Sequence, residues 1–252
     1  MSLLSLARDL KRRKGRERRS LFVTEGVRGV EELIRSELPI RGVLVTPQLL
    51  ESARGSALEA LILARGVTLE RVDEHDLASA ADTESPQGVL GIAETPEHRL
   101  SSISLIGIAR IVVLDGIQDP GNAGTILRTS AALGARGIVA LPGTVDLWNP
   151  KVVRGAMGVH FGFPLVHATP QELFAFLDAG SIPLWGTAAG GETIGDRTPP
   201  ERLAIALGNE GAGLSDGVRD RCELLVSIPL EPNVESLNVA VAAGIILHEL
   251  RG

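Results

Sequence analysis

The sequence predicts an α/β protein made of two domains, each with its own sheet. Apolar stretches typical of strands alternate with stretches of helical spacing along all 252 residues. One polar, unpatterned segment, TPEHRLSSIS, interrupts this alternation after residue 94. The length is comfortable for two domains. We therefore expect a first domain at 1–95, a linker at 96–104 and a second domain at 105–252.

The first domain is predicted to be a small α/β unit. Leucine and alanine recur at helical spacing in LLSLARDL, so a helix is expected to begin the chain and to continue into the basic residues that follow. Pro39 ends a later helix and Gly66 is a typical left-handed cap. The expected strands are Leu21–Gly26, Arg41–Thr46, 67–72 and Gly88–Glu94, and the expected helices are Val27–Leu38, Ser56–Ala64 and Glu74–Ala80.

The second domain repeats the alternation with more buried strands. ARIVVLDGI is a continuous apolar run, which favours a strand covered on both faces. Asn122 stands where a helix N-cap would accept a first-turn N–H. The strands are expected at Ala109–Ile117, Gly137–Leu141, Ile182–Gly190, Leu203–Leu207 and Leu224–Ile228, and the helices at Ala123–Leu133, Lys151–Gly158 and Pro170–Ala179.

A glycine loop and a final helix dominate the end of the chain. The helix carries no charge from Ser236 to Ile246, so we expect it to be buried nearly all round. It is too short to span a bilayer. Gly208, Gly211 and Gly213 allow main chain to approach a ligand closely, because glycine has no Cβ. Such a loop holds a flat, mostly uncharged molecule as readily as a phosphate.

Composition excludes several classes of protein. The single cysteine, Cys222, excludes an internal disulfide and a multi-cysteine zinc site. The five histidines show no metal-ligand spacing, so no metal is expected. No signal peptide or membrane-spanning run is visible. We expect a cytoplasmic protein that does not contact membranes.

A basic arm at residues 8–19 stands out against an acidic body. It holds eight basic and two acidic residues and so has a net charge of +6. Because the whole chain has a net charge of −6, the rest of the chain carries −12. A solvated helix end that aids solubility would explain this, and so would a polyanion bound at a defined place. The candidate polyanion-contacting residues are Arg8, Lys11, Arg12, Arg13, Lys14 and Arg16 in the arm, and Arg154 in KVVRGAMG.

Common nucleotide and hydrolase motifs do not account for the chain. There is no phosphate-binding G-x-x-x-x-G-K-[ST] and no strand-linked G-x-G-x-x-G. Residues 213–217 match G-x-S-x-G, but the preceding strand ends too early to place Ser215 on a hydrolase elbow. His248 is better explained as a residue at a helix end than as a triad partner.

Three blocks carry a family resemblance: DGIQDPGNAGTILRTSAALGA from Asp115, LGNEGAGLS from Leu207 and SIPLEPNVESLNVAVAAGIILHE from Ser227. In order and spacing they resemble the signature motifs of the SpoU-type (TrmH-like) RNA ribose 2′-O-methyltransferases of the SPOUT superfamily. The resemblance runs from about Ile111 to the end of the chain. The first 95 residues are similar to the ribosomal-protein-like RNA-binding domain that precedes this catalytic domain.

The resemblance implies a parallel sheet with a deep trefoil knot, a homodimer, and S-adenosylmethionine held by the knot loops. True knots are rare, and no periodicity would predict one. The implied cofactor contacts are Thr187, Gly208, Ile228 and Leu237. The implied catalytic set is Asn122, Arg128, Glu210, Ser236 and Asn238.

In this family the motif-one arginine, here Arg128, is assigned the task of activating the ribose hydroxyl, with help from Ser236. Guanidinium rarely loses a proton, so our interpretation is that Arg128 grips a phosphate and polarises the attacking oxygen. We expect Glu210 to be a buried, hydrogen-bonded carboxylate that orients its neighbours. Asn238 is expected to order the turn around Ser236, which is itself a plausible helix cap.

The predicted activity is S-adenosylmethionine-dependent methylation of a ribose 2′-hydroxyl in structured RNA, with ribosomal RNA as the first expectation. Alternatives are a tRNA ribose or base methyltransferase of the same superfamily, and an RNA-binding protein that has kept the fold without catalysis. The chain has no tyrosine, five phenylalanines and two tryptophans, which argues against extensive base stacking.

Overall fold

The computed structural model describes residues 1–251 and has the expected α/β class. The chain divides into two compact units. The first consists of Met1–Glu97 and Trp148–Gly162, and the second of His98–Leu147 and the chain from Phe163 onward. The division differs from the sequence prediction in two places, because Trp148–Gly162 belongs to the first unit and the predicted linker at 96–104 is divided between the two units. Within residues 1–251, no helix has both the length and the apolar character needed to span a bilayer.

The helices, in chain order, are α1 (Leu3–Leu10), α2 (Arg13–Arg19), α3 (Val27–Arg35), α4 (Pro47–Leu50), α5 (Ala53–Ala64), α6 (Glu74–Ala80), α7 (Pro120–Ala132), α8 (Pro150–Ala156), α9 (Pro170–Ala179), α10 (Asp216–Arg221) and α11 (Val239–Leu250). The strands are β1 (Leu21–Glu25), β2 (Ile40–Val45), β3 (Leu69–Arg71), β4 (Val89–Glu94), β5 (Ala109–Asp115), β6 (Gly137–Ala140), β7 (Leu165–His167), β8 (Leu184–Thr193), β9 (Arg202–Gly208) and β10 (Leu224–Ser227).

The first unit has a four-stranded sheet in the order β1-β4-β2-β3, with helices on both faces. Side chains alternate along β2, as the strand geometry requires. Leu44 packs into one cluster with α1 and α6, whereas Val43 and Val45 pack into another with α3 and α5. Each face therefore has its own small core.

Aromatic contacts explain why Trp148–Gly162 belongs to the first unit. The ring of Trp148 lies 4.6 Å from that of Phe22 and 4.9 Å from that of His160, measured between centroids. Phe22 is fully buried on β1. The α8 segment thus completes the core of the unit that β1 begins.

The basic arm forms two helices, not the single continuing helix that the sequence predicted. The Arg16 guanidinium donates to the carbonyl oxygens of Leu10 and Lys11 at 2.8 and 2.9 Å. It satisfies carbonyls at the end of α1 that an α-helix leaves without partners. The chain turns after α1, and Gly15 then lies against the Asp9 carbonyl, where a Cβ would not fit.

The second unit has a six-stranded parallel sheet in the order β10-β8-β9-β5-β6-β7. All seven residues of β5 are buried, as its continuous apolar run predicted. Ile103, placed in the linker by the sequence prediction, is only 4% exposed and belongs to this core. β7 and α10 were not predicted, because both are too short to give a periodic signal.

The last part of the chain returns across the sheet. After β9 it passes through α10, pairs as β10 with the far side of β8, and comes back as α11 to pack on α7. Gly244 of α11 faces α7 at this contact, where its Cβ position lies 3.4 Å from Cγ2 of Thr129. The trefoil knot implied by the resemblance stays a prediction.

A buried arginine anchors the end of α11. Arg110, on β5, is 3% exposed, and its Nε donates to the Leu250 carbonyl oxygen at 2.7 Å. Its Nη1 donates to the carbonyls of Pro200 and Glu201 at 3.0 and 2.8 Å. Burial lowers the pKa of the Arg110 guanidinium below its ordinary value. The carbonyl oxygens around it stabilise the guanidinium that burial would otherwise destabilise.

Candidate functional site

A cavity of about 740 Å³ lies in the second unit, at the carboxyl ends of adjacent parallel strands. Ligand sites in open parallel sheets are usually found at this edge. The later part of β8, the loops after β9 and β10, and the first turns of α11 form its wall. All four residues predicted to contact the cofactor line it: Thr187, Gly208, Ile228 and Leu237.

Gly208 is required by the packing of the glycine loop, and its predicted close approach to a ligand stays a prediction. A Cβ on this residue would collide with the backbone of Gly213 and Leu214. The close approach is therefore between two parts of the glycine loop itself. The loop closes on its own backbone, where the N–H and C=O of Asn209 and Gly213 form two hydrogen bonds of 2.9 Å.

Asn209 organises this loop, and the sequence interpretation gave it no role. Its Oδ1 accepts from the N–H groups of Gly211 and Ala212, both at 2.9 Å, and its Nδ2 donates to the Gly116 carbonyl at 2.8 Å. Asparagine often bonds backbone groups two residues further on. The signal was present in the sequence, as an asparagine that opens a glycine-rich stretch.

Three predicted catalytic residues form one chain of hydrogen bonds. Asn238 Nδ2 donates to Asn122 Oδ1 at 2.8 Å, and Asn122 Nδ2 donates to Glu210 Oε1 at 2.9 Å. Asn238 begins α11, Asn122 lies in the first turn of α7, and Glu210 lies in the glycine loop. The network therefore connects the three motif segments at the cavity.

The helix caps differ from those predicted. Asp119 is the N-cap of α7, and its Oδ1 accepts from the Asn122 N–H at 2.8 Å. The prediction that Asn122 is the N-cap is wrong. Its side chain instead forms hydrogen bonds with both Glu210 and Asn238. Asn238, not Ser236, caps α11 by accepting from the N–H groups of Ala240 and Val241.

Glu210 is hydrogen-bonded as predicted, but it is exposed rather than buried. Partial desolvation raises the pKa of its carboxyl. Hydrogen bonds from the Asn122 side chain and from the backbone of the loop and of Gln118 and Asp119 outweigh desolvation, so the pKa lies below its ordinary value. The carboxylate is stabilised in its charged form and can hold the Asn122 amide in one orientation.

The two residues predicted to act on the ribose lie in different places. Ser236 is exposed and lines the cavity. Within residues 1–251, Arg128 is not part of the cavity wall, and it lies on the exposed face of α7 together with Thr125 and Ala132.

Ser215, from the rejected hydrolase motif, precedes α10 and donates its backbone N–H to Asp115 at 2.7 Å.

The predicted RNA-contacting residues of the first unit are of two kinds. Arg16 is only 4% exposed and caps α1, so its prediction as an RNA contact is wrong. The side chains of Arg8, Lys11 and Arg13 lie at the surface and reach Asp76, the Ser79 carbonyl and Glu17, respectively. Arg12 and Lys14 are exposed.

Arg154 forms ion pairs within the first unit. Its Nη1 lies 3.3 Å from Asp82 Oδ2 and 3.6 Å from Glu25 Oε1.

A cluster of possible metal ligands lies elsewhere in this unit. It consists of Asp73, His75 and Asp76, each with one potential ligand atom within 4.8 Å of the others. Asp73 caps α6 and Asp76 pairs with Arg8, so local structure accounts for both carboxylates.

Comparison with known proteins identifies the family. The sequence model of the SpoU rRNA Methylase family matches residues 109–248, more than half of the chain. The chain belongs to the SpoU rRNA methylase family. Residues 5–91 match the MRM3-like substrate binding domain. The two matches fall on the two kinds of domain that the sequence resemblance implied.

Relatives of this SpoU methylase match over nearly its whole length. The 23S rRNA (guanosine(2553)-2'-O)-methyltransferase RlmP of Bacillus subtilis is 32% identical, over 97% of this chain and 94% of its own. The 23S rRNA (uridine(2479)-2'-O)-methyltransferase of Streptomyces viridochromogenes is 31% identical, over 94% of this chain and 84% of its own.

Solved structures of SpoU and rRNA methyltransferases superpose on nearly the whole of this chain. The SpoU methyltransferase AviRb from Streptomyces viridochromogenes, in complex with AdoMet, superposes with a TM-score of 0.88 at 30% identity, over 99% of this chain and 97% of that one. The AdoMet-bound rRNA methyltransferase from Sinorhizobium meliloti gives a TM-score of 0.86 at 29% identity, over 99% and 94%.

Proposed function

We propose that this protein methylates a ribose 2′-hydroxyl of large-subunit ribosomal RNA and uses S-adenosylmethionine as the methyl donor. Family membership and the activities named for its relatives support the proposal. The observation that carries it is the Asn238–Asn122–Glu210 network, which joins the three motif segments beside a cavity of cofactor size.

The cavity residues fit S-adenosylmethionine. A volume of about 740 Å³ lies within the ~300–1,000 Å³ typical of small-molecule sites. Val226, Ile228 and Leu237 offer apolar surface for a flat ring, and the glycine loop offers backbone donors and acceptors. When bound, the cofactor supplies an electrophilic methyl group on a sulfonium centre.

Bound S-adenosylmethionine would give its methyl group to the ribose 2′-oxygen and leave as S-adenosylhomocysteine, and the hydroxyl proton would pass to solvent. We assign Arg128 to hold an RNA phosphate and to polarise the attacking oxygen, since a guanidinium donates in a planar fork. We also assign Ser236, which lines the cavity, to orient the hydroxyl. Positioning of this kind contributes much of the rate in methyl transfer.

RNA would be held outside the cavity by the first unit. We propose the exposed side chains of Arg8, Lys11, Arg12, Arg13 and Lys14 as phosphate contacts. Such contacts attract RNA and depend on salt, but carry little sequence information. Arg154 is engaged with two carboxylates and is better placed to shape a pocket than to meet a phosphate.

We propose a homodimer that works in the cytoplasm, where ribosomal RNA is modified. The sequence predicted that α11 would be buried nearly all round, yet Val241 on this helix is 52% exposed. Leu230 and Val234, in the segment before α11, are 37% and 47% exposed. A second copy that covers these side chains would remove their apolar surface from water. Light scattering coupled to gel filtration would test it, and a monomer at micromolar concentration would contradict it.

The function is tested by methyl transfer from labelled S-adenosylmethionine to ribosomal RNA, followed by nucleoside mass spectrometry. We expect a 2′-O-methylated nucleoside in large-subunit RNA. Methylation of a base, or of tRNA alone, would favour the alternative enzymes. A protein that binds RNA but shows no heat of S-adenosylmethionine binding would be a non-catalytic relative.

A further inference from the structure

The charges of the second unit are unbalanced. This unit contains nine basic and fifteen acidic residues, and its net charge of −6 accounts for the whole net charge of the chain. The first unit is neutral, with sixteen residues of each sign. RNA is a polyanion that a negative surface repels. Attraction of the RNA substrate therefore does not explain the acidity of the second unit.

The cavity of about 740 Å³ shares this negative charge. Two acidic residues contribute to its wall, Glu210 and Glu235. Among residues 1–251, no arginine, lysine or histidine does so. Partial desolvation raises the pKa of the Glu210 carboxyl, but hydrogen bonds, first that from Asn122, outweigh it and keep the group ionised. A ligand in this cavity is therefore next to negative charge without a basic side chain to offset it.

A positive partial charge also lies at this wall, at the start of α11. The aligned peptide groups of a helix are equivalent to roughly +0.5 elementary charge at its N-terminus. The Asn238 side chain already accepts from the N–H groups of Ala240 and Val241. The helix end is thus weaker than the two full charges of Glu210 and Glu235, and the cavity stays negative.

The methyl donor and its product differ in charge at one atom. The sulfur keeps the electron pair of the broken carbon–sulfur bond, so the sulfonium of S-adenosylmethionine becomes the neutral thioether of S-adenosylhomocysteine. One positive charge is lost, and the rest of the two molecules is the same. A negative cavity stabilises the cationic ligand more than the neutral one, and Coulomb attraction does not require direct contact.

We propose that the negative charge of this cavity, to which Glu235 contributes, selects S-adenosylmethionine over S-adenosylhomocysteine. Methyl transfer then weakens the binding of its own product and favours exchange for a new methyl donor. The inference deepens the proposed function and rests on it for the methyl donor. It makes Glu235 a specificity-determining residue that acts on the charge of the ligand, whereas its neighbour Ser236 is assigned to the ribose.

The first test compares three ligands by calorimetry on the full-length protein. Sinefungin carries an ammonium group in place of the methylsulfonium, so it should behave as S-adenosylmethionine does. We expect both to bind about tenfold more tightly than S-adenosylhomocysteine at low salt. The preference should shrink as salt is raised to about 1 M, where the screening length falls to about 3 Å. Equal affinities for the three ligands at low salt would overturn the proposal.

The substitution Glu235→Gln keeps the size of the side chain and removes its charge. At about 0.15 M salt, S-adenosylmethionine and sinefungin should bind about two- to fivefold more weakly, the range for one exposed charge pair. S-Adenosylhomocysteine affinity should be unchanged. An equal loss for S-adenosylhomocysteine would show that Glu235 contacts a part common to all three ligands, and would contradict selection by charge.

Glu201→Gln is the matched control. Glu201 is an exposed glutamate that precedes β9, whereas Gly208 at the cavity ends this strand. Seven steps of about 3.3 Å place it roughly 23 Å away, more than two screening lengths of about 8 Å at 0.15 M salt. The ratio of affinities should not change, and a change equal to that in Glu235→Gln would contradict a local effect.

The same titrations separate the two proposals. If none of the three ligands bound, the methyltransferase function would be contradicted together with the charge selection. Binding of all three without a preference would contradict the charge selection alone.

Discussion

The side-chain amide of Asn238 donates to the side-chain oxygen of Asn122 across 2.8 Å, although 116 residues separate them in the chain. Asn238 also caps α11, and Asn122 also donates to Glu210. Each of the two amides therefore has both its oxygen and its nitrogen in use. The starts of α7 and α11 and the glycine loop are fixed relative to one another by these two side chains.

Replacing Asn122 or Asn238 with alanine should weaken S-adenosylmethionine binding by about tenfold, because each change leaves partners without their hydrogen bonds. In a double-mutant cycle the two losses should be coupled by about 0.5–3 kcal/mol. Calorimetry would measure the four affinities. Strictly additive losses would show that the contact is not energetically connected to the cavity.

Gly208→Ala should destabilise the glycine loop by about 1–3 kcal/mol, since the added methyl group meets backbone rather than a movable side chain. S-Adenosylmethionine affinity should fall with it. Gly217→Ala is the control, because it lies in α10 with nothing within 4 Å of its Cβ position. Thermal unfolding should show a lower Tm for the first variant and an equal or higher Tm for the second. Equal behaviour would rule out the steric explanation.

Arg128→Lys should lower kcat by about tenfold or more while S-adenosylmethionine affinity is kept, because lysine cannot hold a phosphate with a planar fork. Arg202→Lys, at the start of β9 and at the opposite end of that strand from Gly208, should leave kcat unchanged. Single-turnover methylation would measure the effect. Full activity of Arg128→Lys would contradict a bidentate role.

Arg110→Met should loosen the end of α11, because the carbonyls of Leu250 and Pro200 lose the guanidinium donor and the Glu201 carbonyl keeps only the Ala109 N–H. We expect a loss of about 1–3 kcal/mol in the free energy of unfolding. Urea denaturation would measure it, and hydrogen exchange should show faster opening of the last turn of α11. Arg202→Met provides a surface arginine for comparison, and a similar loss there would point to a general charge effect.

Cys222 should react slowly with alkylating agents in the folded protein. Burial, followed by the negative charge of Asp115, raises the pKa of the Cys222 thiol to about 11. At neutral pH the thiol is protonated, and the nucleophilic thiolate becomes abundant only as the pH approaches that value. Iodoacetamide labelling followed by mass spectrometry should be much faster in urea. Rapid labelling of the native protein at pH 7 would contradict the burial.

The sequence was most informative where periodicity and motif coincide. The apolar run of β5 and the glycine loop after β9 were predicted, and the four residues predicted to contact the cofactor all line the cavity. Asn122, Glu210 and Asn238 were identified as a set, but their mutual hydrogen bonds were not, since contacts between distant segments leave no local pattern. The cap of α7 was misplaced by three residues because Asp119 and Asn122 are both good caps.

Other features depend on tertiary structure alone. Arg16 lies within a run of surface cations, and only the turn after α1 brings its guanidinium to the carbonyls of Leu10 and Lys11. Asn209 was overlooked beside the more conspicuous glycines. Trp148 lies between two predicted elements of the second domain, and nothing local indicates that its ring packs against Phe22.

The position of Trp148 has a practical consequence for dissecting the protein. A fragment cut after residue 97 would contain Phe22 without Trp148 or Phe161, its two aromatic neighbours. Such a fragment would expose the apolar aromatic surface of Phe22 to solvent and would be prone to aggregate. Binding studies on the isolated first unit would then measure an incompletely packed protein, unless residues 148–162 were rejoined to it through a short linker.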